Sequence, residues 1–168
     1  DCSSDSTVNI AHFYAERYPG TIRVLERAQN VGMCRNYYET FEQCRGEFIV
    51  WLDADDYWTD PEKLTTQVAV LREDSSINVC GHFVRWVTDE GEVTRERYPS
   101  ISSGRYGIGE IIRHNFLPSC SVMFRNGIQR DLPDWYFDIA PTTDHPLWVV
   151  ASLSGDIVLL ERTMADYI

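Results

Sequence analysis

Four carboxylates, Asp53, Asp55, Asp56 and Asp60, fall within eight residues of one another. Like charges packed this closely repel unless something positive sits among them. Directly before them runs Glu47-Phe48-Ile49-Val50-Trp51-Leu52, apolar at five successive positions after Glu47. A run of that kind predicts a central strand covered on both faces. In open α/β sheets, ligands bind beyond the carboxyl ends of the strands. Carboxylates placed there can hold Mg²⁺ or Mn²⁺, hard cations that prefer oxygen, and through the ion a diphosphate. The competing reading is a solvated acidic turn that caps the next helix. An EF-hand calcium loop is excluded. Counted from Asp53, Tyr57 takes the fifth place, Trp58 stands where Gly belongs and Leu64 where a bidentate Glu belongs.

The elements around this turn follow from periodicity. Val8, Ala11, Tyr14, Ala15 and Tyr18 predict a helix over 7–18, stopped by Pro19-Gly20. Thr21–Leu25 reads as a short strand and Asn30-Val31-Gly32 as a turn. Cys34, Tyr37, Tyr38, Phe41 and Cys44 give a second helix its stripe, with Gly46 as its stop. After the acidic turn, Thr59 with Glu62 matches a capping box and Pro61 fits a first helical turn. Leu64, Val68 and Leu71 predict the buried stripe of that helix. Helix, strand, helix, strand, helix is the alternation of a parallel α/β sheet.

The second half reads less regularly. Ile77–Thr88 and Val93–Tyr98 form two predicted strands around Asp89-Glu90-Gly91. Gly109–His114 reads as a short helix, Ser119–Arg125 as a strand, Asp144–Leu153 as a helix and Asp156–Leu160 as a last strand. Gly104, Gly107 and Gly109 make no phosphate fingerprint, because no apolar strand leads into them.

Bulk properties narrow the classes. The 168 residues suit one domain, and 43% hydrophobic with 24% charged is a globular composition. Lys and Arg number 15 against 26 Asp and Glu, a net charge of −11. That argues against a non-specific nucleic-acid binder and against docking on an anionic membrane. No apolar run approaches the ~18–20 residues of a transmembrane segment. The five cysteines are dispersed, odd in number and free of C-x-x-C spacing, so a zinc ribbon or thioredoxin-like site is not expected. They read as reduced, buried small hydrophobes, which points to the cytoplasm.

Four segments stand in order over residues 29–71. They are Asn30-x-Gly32-x-x-Arg35-Asn36, Arg45-Gly46-Glu47-Phe48-Ile49, Leu52-Asp53-Ala54-Asp55-Asp56-Tyr57-Trp58 and Asp60-Pro61-x-Lys63-Leu64-x-x-Gln67. Together they resemble the family 2 glycosyltransferases, nucleotide-sugar enzymes of the GT-A fold. Asp1-Cys2-Ser3-Ser4-Asp5-Ser6-Thr7 is similar to the family's Asp-Asp-x-Ser-x-Asp-x-Thr segment, entered one residue late. Pro118-Ser119-Cys120-Ser121 and Thr143-Asp144-x-Pro146-Leu147-Trp148 are similar to its acceptor-side strand and its Glu-Asp-type helix start, with Thr143 where Glu is common. The implied fold is α/β, a Rossmann-like three-layer α/β/α arrangement on a mixed sheet. One domain would fill 1–168, with 1–73 the nucleotide-sugar-binding half and 74–168 the acceptor-side half. The family opens with an apolar strand, and here the sequence opens at Asp1. It also stops at Ile168, where a Tyr-Arg pair usually continues. The expectation is a fragment without its first strand, which puts the activity of this piece by itself in question.

The resemblance implies transfer of a sugar, with inversion, from a nucleoside diphosphate sugar of the UDP kind. The acceptor would be a hydroxyl on a glycan or glycolipid of a cell-surface pathway. Asp55 is then the leading ligand for Mn²⁺ or Mg²⁺, with Asp53 and Asp56 helping, and Asp53 has a contact to the donor ribose as its other role. Arg35 matches the cation facing the nucleotide, or is a solvated helix charge. Asp1 and Asp5 match positions near the nucleoside. Asp144 matches the general base, where a helix dipole favours its carboxylate form, or is simply an N-cap. Trp58, Trp135, Tyr136 and Trp148 either stack on sugar rings or fill the core. Two other classes share the acidic motif: a non-catalytic nucleotide-sugar-binding module and a metal-dependent nucleotidyltransferase.

Overall fold

The structure is a computed structural model that describes residues 2–138 and 144–168. The chain begins with α1 (Thr7–Arg17) and α2 (Met33–Glu42). Gly32 enters α2 with φ of 85°, and its N–H donates to the Asn30 side chain at 2.9 Å, so the predicted Asn30–Gly32 turn forms. Such a backbone is open to Gly at little cost and strained for most other residues. α2 stops at Glu42, ahead of Gly46.

Next come β1 (Phe48–Val50), β2 (Tyr57–Trp58) and α3 (Lys63–Glu73). β3 (Ile77–Val87), β4 (Val93–Tyr98), β5 (Gly104–Tyr106) and α4 (Ile108–Ile111) follow. A 3-10 turn at Ser119–Ser121 leads into β6 (Met123–Arg125), and two more 3-10 turns cover Ile128–Asp131 and Asp134–Asp138. The chain ends with α5 (Asp144–Ala151) and β7 (Asp156–Tyr167).

The seven strands form one mixed sheet with the path β1-β6-β3-β7-β2. β3 and β7 are its long spine and its parallel pair. β6 and β4 pair with β3, and β5 and β2 pair with β7, all antiparallel. The sheet is therefore not the parallel one that the alternation suggested. β1 lies at one end of the path, antiparallel to β6, instead of at the centre.

Successive residues alternate between two cores, as the pleat requires. Ile49, Phe124, Ile157 and Leu159 face a layer built on Phe41 of α2 and Leu147 and Trp148 of α5. Phe48, Val50, Met123, Val158 and Leu160 face Leu71 of α3. This gives the three-layer arrangement.

Three other readings need correction. Thr21–Leu25 is irregular, since among the described residues no strand lies beside it to complete a ladder. The capping box does not form: Glu62 precedes α3 without a side-chain cap, and the Asp60 carboxylate takes the Glu62 N–H at 2.8 Å. The buried face of α3 is Lys63, Gln67 and Leu71, with Leu64 41% exposed. Lys63 sets its ammonium Nζ against the Trp58 ring, 4.5 Å from its centre, and donates to Gln67 Oε1 at 2.8 Å. Gln67 in turn donates to the carbonyls of Cys80 at 2.6 Å and Ser121 at 2.8 Å. A polar stripe goes inside because every group on it is paired. Cys34, Cys80 and Cys120 are buried and reduced as expected, whereas Cys2 is exposed. No helix among the described residues is long and apolar enough to cross a membrane.

Candidate active site

The sheet carries the acidic turn out of β1 into a cleft of about 560 Å³. That lies inside the ~300–1,000 Å³ range of small-molecule sites. Tyr37, Asp53, Asp55, Asp56 and Tyr167 line it. The three carboxylates of this turn have three different environments.

Asp53 is caged. Its Oδ1 accepts the Tyr37 hydroxyl at 2.6 Å and the Trp51 indole N–H at 2.9 Å, and its Oδ2 accepts the Ser119 hydroxyl at 3.0 Å. These partners come from α2, the end of β1 and the 3-10 turn before β6. Burial and the Asp53 carboxylate push the Tyr37 phenol well above its ordinary range, so it stays a donor. Asp55 is exposed, and among the described residues its carboxylate makes no hydrogen bond or ion pair. Asp56 is 5% exposed; its Oδ1 accepts the Ile168 N–H at 3.1 Å, and its Oδ2 has no partner of ordinary geometry. Burial raises its pKa to about 6, against the opposing pull of the Ile168 N–H and the Cys120 thiol. Asp60 sits apart, paired with Arg162.

A second, smaller cleft of about 100 Å³ adjoins the first. Asp144 lies in it, at the start of α5. Asn115 Nδ2 donates to Asp144 Oδ2 at 2.9 Å, and the His145 N–H donates to Oδ1 at 2.7 Å. Trp86, Tyr98 and Tyr167 supply its aromatic walls. Tyr167 lines both clefts. Burial, then the charges of Asp56 and Asp144, raise its phenol above the usual value. The segment 117–119 is also shared: Leu117 and Pro118 line the second cleft, while Ser119 holds Asp53 in the first.

The sequence-derived candidates sort as follows. Asp53, Asp55 and Asp56 come together in one cleft and Asp144 in the next. Arg35 does not line the cleft. It is exposed on α2, with its guanidinium 5.2 Å from the Phe137 ring centre. The helix turns it toward the 3-10 segment instead. Asp1 and Thr143 lie outside the described residues. Asp5 accepts the Thr7 N–H at 2.9 Å, a local turn at the head of α1. Trp148 and Tyr136 are wholly buried core residues, and Trp58 is half-buried under Lys63. Trp135 is 54% exposed and lines a separate apolar groove with His145. The sequence reading missed Trp51, Tyr37, Ser119, Asn115, Trp86, Tyr98 and Tyr167. Only Trp51 had a plain signal, since residues i and i+2 of an extended chain share a face.

Comparison with known proteins gives this geometry a context. The family model described as "Glycosyl transferase family 2" matches residues 1–131. "Uncharacterized protein Rv1520" of Mycobacterium tuberculosis is 34% identical over 168 residues, covering 99% of this chain and 47% of that protein. "Uncharacterized glycosyltransferase YibD" of Escherichia coli is 35% identical over 107 residues, covering 62% of this chain and 28% of that protein. The chain thus spans about half the length, or less, of the curated relatives it matches. Among solved structures, S. aureus TarS 1-349 in complex with UDP aligns with a TM-score of 0.69 and 21% identity, over 99% of this chain and 48% of that one. Mannosyltransferase PcManGT from Pyrobaculum calidifontis, in complex with GDP-Man and Mn²⁺, aligns at 0.70 and 14% identity, over 99% and 45%. The fold is the mixed α/β arrangement of the GT-A glycosyltransferases.

Proposed function

The chain belongs to glycosyl transferase family 2, and we propose that the larger cleft takes a nucleoside diphosphate sugar, of the UDP kind, while the smaller takes the acceptor hydroxyl of a glycan or glycolipid. One observation carries this reading. The acidic cleft and the cleft holding Asp144 are neighbours with a common wall at Tyr167. Donor and acceptor must meet, and two sites separated by one side chain allow it.

In this reading residues 1–73 supply most of the donor side and residues 74–168 the acceptor side. The Asp144 carboxylate takes the proton from the acceptor hydroxyl. The acceptor oxygen bonds to the anomeric carbon, and that carbon's bond to the diphosphate breaks. The electron pair leaves with the diphosphate, and the anomeric centre inverts. Asn115 holds one carboxylate oxygen of Asp144 and so fixes the direction in which it receives the proton.

The donor side fits a hard divalent cation, Mn²⁺ or Mg²⁺, but only partly as the sequence suggested. Among the described residues no three His, Cys, Asp or Glu side chains gather into an ion cage. Both Asp53 oxygens are already engaged and Asp56 is buried, which leaves the Asp55 carboxylate as the open oxygen ligand. Magnesium-like ions are commonly held by one or two carboxylates plus substrate phosphates, so a single free carboxylate suits them. When bound, the ion would neutralise the charge that develops on the diphosphate leaving group. Asp53, held rigid, is the group to receive donor ribose hydroxyls along its remaining lone pairs. Among the described residues no lysine or arginine lines this cleft, so cation-assisted binding also answers the repulsion between an anionic donor and a chain of net charge −11.

Thermal denaturation of the full-length protein tests the donor assignment. UDP with Mn²⁺ should raise Tm, and Asp55→Ala should abolish that rise. A UDP-induced shift that needs no metal and survives Asp55→Ala would remove the metal role. Release of nucleotide with no sugar reaching any acceptor would point to a nucleotidyltransferase instead.

A further inference from the structure

The acceptor cleft is built in a way that specifies what enters it. Trp86 is 39% exposed on β3, and its ring touches two others. The Trp86 and Tyr98 centres are 5.2 Å apart, and those of Trp86 and Tyr167 are 5.8 Å apart. Sheet register makes this row. Trp86 stands opposite Tyr167 in the parallel β3–β7 pair, and Val84 stands opposite Tyr98 in β3–β4. Register shifts between Val84 and Trp86 mark an irregularity in the β3–β4 pair, and such bulges re-aim side chains next to sites. The Arg95 guanidinium lies 5.1 Å from the Tyr98 ring centre. Strand-borne rings of this kind are preorganised, so little ordering cost falls on a ligand that stacks there.

Beside the rings sit only a few polar groups, the Asp144 carboxylate and the Asn115 amide among them. The half-exposed Trp86 ring, with Tyr98 and Tyr167 tilted against it at 54° and 51°, gives one flat apolar face beside convergent polar groups, which matches a pyranose ring with its apolar C–H face and rim hydroxyls. A lipid chain would gain nothing from a carboxylate in the cleft. An open-chain polyol offers no continuous C–H face. The volume of about 100 Å³ admits a ring seated on the wall with one edge inside, and is too small for a nucleotide.

We propose that the acceptor is a saccharide whose terminal pyranose ring stacks on Trp86, backed by Tyr98, with one rim hydroxyl directed at Asp144. This rests on the acceptor-side reading above and adds the class of acceptor and the residue that selects it. Trp86 contacts the acceptor ring without taking part in the proton transfer.

The test uses the full-length protein and saturation-transfer NMR with methyl glucopyranoside and methyl galactopyranoside, against ribitol and hexanol as controls. At least one pyranoside should bind, with ring C–H protons receiving more saturation than the hydroxymethyl group, and the controls should not. Trp86→Ala should weaken pyranoside binding about tenfold or more, Trp86→Phe should recover part of it, and UDP binding should stay within twofold of wild type. Retention of the wild-type UDP affinity also shows that the variant is folded. Equal binding of ribitol and the pyranosides, or pyranoside binding unchanged in Trp86→Ala, overturns the proposal. Asp144→Asn separates the two readings. If it keeps transfer while Trp86→Ala loses pyranoside binding, the base assignment falls and the stacking platform stands.

Discussion

The two clefts are built by different means. In the cleft proposed for the donor, Asp53, Asp55 and Asp56 leave one strand in a single turn, and the Trp51 donor that holds Asp53 is two residues away. In the cleft proposed for the acceptor, most of the parts are far apart in the chain. Asp144 is held by Asn115, 29 positions earlier, and the aromatic row draws on β3, β4 and β7. The first is centred on a motif whose carboxylates a short stretch of backbone arranges, with Tyr37 and Ser119 brought in by the fold. The second exists only once β3, β4 and β7 are in register. A motif can therefore be read without a fold, whereas a pocket assembled by register cannot.

The sharpest way to break this contrast is to remove the proposed base. Asp144→Asn keeps the Asn115 contact geometry within reach but cannot accept a proton. Turnover of the full-length protein should fall about 10²- to 10⁴-fold, the usual contribution of a positioned general base. The UDP-induced Tm shift should remain, because Asp144 belongs to the other cleft. A parallel loss of UDP binding would show that the clefts are one unit.

Gln67 tests what they share. It ties β3 to the 3-10 turn through the carbonyls of Cys80 and Ser121, and Ser119 at the start of that turn holds Asp53. Gln67→Ala strands two buried carbonyls and removes the partner of Lys63. A loss of about 2–4 kcal/mol is expected, since each buried group left unpaired costs about 1–3 kcal/mol. Urea denaturation reads it directly. Gln67→Glu offers acceptors where donors are needed and should do no better.

This stripe also shows where sequence reasoning ran out. The acidic turn, the strand before it and the start of α5 were legible, because charge, apolar runs and caps are local signals. On α3, Leu71 and Val68 pack on the core as periodicity predicts, but Lys63 and Gln67 go inside where Leu64 was expected. Periodicity sends Leu64 inside and Lys63 outside, and it cannot see that Trp58 takes the Lys63 ammonium on its ring face and that Gln67 finds two carbonyls. Trp86 and Tyr98 read only as strand residues, since nothing near them in the chain announces Asp144 or Tyr167. The strand expected at Thr21–Leu25 had the right composition and lacked a neighbour.

His82 probes the spine that carries the acceptor wall. It is fully buried on β3, its Nδ1 lies 2.8 Å from the Phe83 carbonyl oxygen, and its Nε2 has no partner. Burial lowers its pKa to about 3 from the ordinary 6.5. Below pH 6.5 the unfolded chain binds a proton that the folded chain refuses. The stability this neutral imidazole provides is thus complete above pH 6.5 and is lost as pH falls toward 3. The slope should reach at most about 1.4 kcal/mol per pH unit. The difference in unfolding free energy between wild type and His82→Gln, measured from pH 7 to pH 4, should shift in favour of the variant as pH drops. A difference that stays flat would mean that the imidazole is protonated in the fold.

Tyr37→Phe makes the smallest change and separates the clefts most finely. It deletes one hydroxyl and leaves the ring tilted against Trp51 with centres 4.2 Å apart. Asp53 keeps Trp51 and Ser119 as donors, so the stability cost should be only about 0.5–1.5 kcal/mol. Oδ1 then retains one bond and the carboxylate can swing. A loosened Asp53 should raise the donor KM several-fold in the full-length protein, while the acceptor KM stays where it was. If both KM values move together, the Ser119 link is transmitting the change across the shared 117–119 segment. The cage around Asp53 would then position the acceptor wall as well as the donor.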